Sequence, residues 1–66
     1  ARALKVKKWL ENESLTVFEA CQRLFPNAYK KELSLTISET VAQFDYLTDL
    51  KEINMTNEGG TIRYYA

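Results

Sequence analysis

Apolar positions follow a helical period as far as Lys51 and a period of two beyond it. In the first segment, from Arg2 to about Asn12, Ala3, Val6, Trp9 and Leu10 share one face, and Leu4, Lys5, Lys7 and Lys8 occupy the other. Asn12-Glu13-Ser14 breaks this pattern. Thr16-Val17-Phe18-Glu19 then forms a capping box, in which a hydroxyl and a carboxylate each satisfy a free backbone N–H, with Leu15 placed to staple over Ala20. A second helix should follow as far as Phe25, with Val17, Ala20, Cys21 and Leu24 inward and Glu19 and Arg23 paired outside. Pro26 ends it, because proline has no N–H to donate.

Residues 27–33 read as a loop or a single irregular turn, with Tyr29 and Leu33 against the core. The longest periodic stretch runs from Ser34 to Lys51. Thr36 and Glu39 repeat the capping box, and Ile37, Val41, Phe44, Leu47 and the Thr48 methyl form the expected buried stripe. After Lys51, Ile53 and Met55 alternate with polar residues, Asn57-Glu58-Gly59-Gly60 makes a turn, and Ile62 and Tyr64 alternate again. This is the pattern of a β-hairpin. The expected fold is α+β: a three-helix core with a C-terminal β-hairpin, packed by its Ile53/Met55/Ile62/Tyr64 face. Ser14-Leu15 offers a short third strand before the second helix. The expected core is Val6, Trp9, Leu10, Val17, Cys21, Leu24, Ile37, Val41, Phe44, Leu47, Ile53 and Ile62.

Composition narrows the chemistry. Residues 1–66 read as one small domain, 45% hydrophobic and with zero net charge, and the absence of an initiator Met suggests a trimmed or excised domain or processing of a longer start. No apolar run is long enough for a bilayer, and the N-terminal charges are interleaved unlike those of a signal peptide, so a cytoplasmic location with no membrane partner is expected. There is no His, and Cys21 is alone. That excludes an internal disulfide, an ordinary zinc set and an imidazole base. With no Gly-rich phosphate loop either, the expectation is a non-enzyme with no catalytic residue, metal, cofactor or small-molecule substrate.

In element order, in its Thr-x-x-Glu capping boxes and in its alternating C-terminal segment, the chain resembles a winged helix-turn-helix domain. It is similar to the small modules of phage, plasmid and bacterial regulators. The resemblance implies that the third helix, Thr36 to Lys51, enters the major groove and that the wing, Met55 through Arg63, touches backbone or minor groove. Two departures stand out. The connection from Pro26 to Leu35 is longer than a tight helix-turn-helix turn, and the third helix carries Glu39, Asp45 and Asp49 with no basic residue before Lys51.

The function expected on this resemblance is a DNA-binding module of a transcriptional or replication regulator. Lys5, Lys8, Lys30, Lys31, Asn57 and Arg63 would position the duplex, and Ser38, Gln43 and Tyr46 would face the groove. Zero net charge implies that double-stranded DNA is bound only weakly by the module alone. The alternative is a winged helix used for protein association or as a homodimer, with Leu4, Tyr46 and the acidic third helix as its contact features.

Overall fold

The computed structural model describes residues 2–66. Its elements are α1 (Arg2–Leu10), α2 (Val17–Leu24), α3 (Leu33–Asp49), β1 (Asn54–Glu58) and β2 (Thr61–Tyr65). The architecture is α+β, with three helices and a C-terminal antiparallel hairpin. Val6, Leu10, Leu15, Ala20, Phe44, Leu47 and Ile53 form the buried cluster, and Ala3, Trp9, Val17, Leu24 and Tyr64 pack around it. The rings of Phe44 and Tyr64 meet edge to face, with centroids 4.5 Å apart.

The α2 capping box forms as the sequence requires. The Glu19 N–H donates to Thr16 Oγ1 at 3.1 Å, and the Thr16 N–H donates to the Glu19 carboxylate at 2.9 Å. Leu15, just outside the cap, is buried. Its backbone exchanges two hydrogen bonds with Tyr64, at 3.0 and 2.7 Å, so the third strand exists as a single bridge. The chain between α2 and α3 forms irregular helical turns, in which the Tyr29 N–H reaches the Phe25 carbonyl and the Glu32 N–H reaches that of Ala28.

The start and buried face of α3 differ from expectation. The helix begins at Leu33, so Thr36 lies inside it and its own N–H already donates to the Glu32 carbonyl. No orphan donor remains there for a capping box. Instead the Thr36 hydroxyl donates to the carbonyls of Glu32 and Leu33, and that of Thr40 donates to Thr36 at 2.7 Å. Because these hydroxyls are satisfied locally, the two threonines can be buried at little polar cost. The inward face is Thr36, Thr40, Phe44 and Leu47, whereas Val41 and Thr48 are exposed and Ile37 is half-buried. Small residues on this face suit close packing against α2, which buries Ala20 and Cys21.

Only the base of the hairpin packs. Met55 pairs with Tyr64 and Asn57 with Ile62 across the strands. Directly opposed residues share a face of the sheet, so Met55, Ile62 and Tyr64 point the same way. Tyr64 reaches Phe44, whereas Met55, opposite it on the outer strand, and Ile62, nearer the tip, are exposed. The expected core is therefore corrected at Val41 and Ile62, and the expected packing face at Met55. Gly59 and Gly60, with φ of 60° and 91°, form the two-residue tip.

Candidate functional site

The residues assigned to a duplex are scattered. Lys5 and Lys8 are exposed on α1, and Lys30 and Lys31 are exposed in the turns before α3. Gln43 and Tyr46 lie about one turn apart on α3, but Ser38 is about 140° around the helix from Gln43 at 100° per residue. Asn57 is committed to the hairpin turn, where its side-chain oxygen accepts the Gly60 N–H at 2.9 Å.

Arg63 is committed as well. Its guanidinium pairs with Glu19 at 3.1 Å and Glu58 at 3.8 Å, and donates to the Ser14 carbonyl at 3.4 Å. Glu19 therefore joins the α2 cap to β2. Its pairing with Arg23, expected from spacing, does not form, because Arg23 makes a two-pronged bond to Glu13 at 2.6 and 2.7 Å and lies over the Trp9 ring. The Thr16 N–H, with Arg63 beside it, holds the Glu19 carboxyl below the ordinary carboxylate range. The Arg23 hydrogen bond does the same to Glu13. Lys7 bonds Glu52 at 2.6 Å, which raises the Lys7 pKa. Arg2 pairs with Glu39 and lies over the Phe25 ring.

Two grooves remain. One, of about 370 Å³, is lined by Glu13, Ser14, Leu15, Glu19, Gln22 and Arg23. Its charged groups are already engaged, Glu13 with Arg23 and Glu19 with Arg63. The second, of about 240 Å³, lies between α1 and the C-terminal end of α3. Ala3, Leu4, Tyr46, Leu47 and Leu50 line it, and the Lys7–Glu52 pair edges it. Leu4, Tyr46 and Leu50 are 64%, 57% and 52% exposed. Leu50 was not singled out from the sequence, although its i,i+4 spacing from Tyr46 was the available signal.

Among the described residues no group of three or more His, Cys, Asp or Glu side chains is placed to hold a metal. Cys21 is fully buried. No helix among these residues is long and apolar enough to cross a membrane.

Comparison with known proteins turns the functional reading toward enzymes. No protein-family model matches the chain, and no solved structure does. Over 63 residues, 96% of its length, the chain is 40% identical to "Probable metallo-hydrolase YqjP" of Bacillus subtilis (strain 168). It spans 20% of that curated relative. This likeness overturns two expectations, that the chain is a DNA-binding regulator module and that it is a non-enzyme. Both rested on element order and on the side chains missing from this stretch, and one fold serves many functions.

Proposed function

We propose that this chain is a segment of a metallo-hydrolase, folded as a winged helix, which serves the enzyme from outside its metal site. The observation that carries the proposal is the 40% identity along 96% of the chain to a protein named as a metallo-hydrolase. The order of helix, bridging residue Leu15, two helices and hairpin supports the winged-helix layout.

The donor set of this chain does not fit a hydrolytic metal centre. It has no His, its one thiol is in the core, and its carboxylates are dispersed. Catalytic zinc needs about three protein ligands around an open position. On this reading the ligands come from the rest of a protein in which a segment like this one makes up about a fifth.

The test compares the polypeptide that carries this chain with the 66-residue chain alone. Metal content is measured by elemental analysis, and hydrolysis is assayed on activated esters, thioesters, lactams and phosphodiesters. The expected result is bound metal and hydrolysis for the longer polypeptide and no stoichiometric zinc for the short one. Tight zinc binding by the short chain, or a longer polypeptide that neither holds metal nor hydrolyses any of these substrates, would overturn the proposal.

A further inference from the structure

We infer that the groove between α1 and the C-terminal end of α3 is the seat on which the metal-holding body of the same polypeptide rests. This inference depends on the metallo-hydrolase reading and adds to it the surface used. The body would place an apolar side chain against Leu4, Tyr46 and Leu50.

Three observations select this surface. Leu4, Tyr46 and Leu50 are exposed and gathered around a concavity, whereas the other exposed large apolar residues, Leu35, Met55 and Ile62 among them, line neither groove. Tyrosine is among the residues that most often anchor an interface, since its ring buries a large area while its hydroxyl stays polar. The edge is electrically balanced, because Lys7 and Glu52 neutralise each other at 2.6 Å. An uncharged apolar partner therefore meets no unpaired charge at this edge. The polar groove beside Arg23 offers no such seat, its guanidinium being held by Glu13.

The occupant follows from size. The matching stretch is 20% of the relative's length, so on the metallo-hydrolase reading a much larger body is attached to this chain. A tethered partner acts at an effective concentration of about millimolar for a short linker, which a second copy does not reach in dilute solution. Contacts between domains of one chain commonly bury about 600–1,500 Å² and are less apolar than permanent interfaces, which suits a small groove with a charged edge.

Two tyrosines of this chain provide an internal control. Tyr46 lies in the groove, and Tyr65, 41% exposed at the end of β2, lies outside its lining. Hydroxyl-radical footprinting of the intact polypeptide, read by mass spectrometry, should show Tyr46 modified about tenfold more slowly than Tyr65, the factor that a modest burial free energy produces. Equal modification of the two tyrosines, whether fast or slow, would overturn the choice of groove. Protection of Tyr46 that disappears on dilution would overturn the choice of occupant in favour of a second copy. As a second measurement, Leu50→Glu should restore Tyr46 modification to the Tyr65 rate, whereas Met55→Glu should leave the protection intact; the reverse pattern would move the seat to the hairpin. Metal analysis of the same sample separates the two proposals. Bound metal with an unprotected Tyr46 rejects the groove alone, and absent metal and hydrolysis reject the hydrolase reading.

Discussion

Arg63 makes contact with Glu19, Glu58 and the Ser14 carbonyl, and so ties the hairpin to the segment that caps α2. Such partly exposed ion pairs individually add little stability, and salt screens them. Their effect should be visible in acid. Because the folded-state pKa values of Glu19 and Glu13 are depressed, their stabilising contribution is present above the unfolded value of about 4.3 and is lost as pH falls through the folded values. Urea unfolding at about pH 7 and about pH 3 should therefore show a drop in midpoint for the wild type that is smaller in the double variant Glu13→Gln/Glu19→Gln. Identical drops in both proteins would remove these carboxylates from the account.

At the scale of the element, the exit from α3 carries an identifiable strain. The Glu52 N–H donates to the Leu47 carbonyl and the Lys51 N–H to that of Thr48, both at 2.9 Å, which is the hydrogen-bond pattern of a Schellman motif. This motif needs a left-handed residue just after the helix, and Lys51 supplies it with φ of 59°. A Cβ in that conformation costs roughly 1–2 kcal/mol, part of which glycine gives back through its greater freedom when unfolded. Lys51→Gly is therefore expected to stabilise the chain by about 0.5–1 kcal/mol, or several degrees in melting temperature for a domain this small. A lower melting temperature for this variant would contradict the assignment.

At the scale of the whole molecule, a core this small has a limited margin. Stability of about 0.05–0.15 kcal/mol per residue puts a chain of this length at roughly 3–10 kcal/mol. Phe44 is almost wholly buried and meets Tyr64 edge to face. Phe44→Ala should cost about 3–5 kcal/mol, a large part of that margin. Cys21 reports the consequence, since its fully buried thiol can be reached only when the structure opens. A thiol-reactive dye should label the wild type slowly, and Phe44→Ala should raise the rate on the order of a hundredfold or more. Rapid labelling of the native wild type, or no acceleration in the variant, would show that Phe44 does not hold this core closed. The same small core leaves several large apolar side chains outside, including Leu4, Leu35, Tyr46, Leu50 and Met55. Surface of this kind is what a segment resting on a larger body is expected to carry.

Local chemistry was enough to place three helices, the α2 cap, the stop at Pro26 and the glycine tip of the hairpin, because each depends on residues a few positions apart. It was also enough to mark Leu15 for an added strand. The facing of α3 was decided elsewhere. Spacing of apolar residues pointed to the stripe through Ile37 and Val41 and cast Thr36 as a cap, whereas the buried stripe runs through Thr36 and Thr40. The structure adopts this latter stripe, since threonines whose hydroxyls donate to their own helix behave as small residues against the small side chains of α2. Likewise, alternation marked Met55 and Ile62 as one face of a strand, but only the reach of the helices decided that the packing stops at Tyr64. Candidate site residues were the least legible. Asn57 and Arg63 appeared as free donors until the hairpin turn and the fold back onto Glu19 engaged them. Leu4, Tyr46 and Leu50 became one surface only when α1 and α3 were brought side by side.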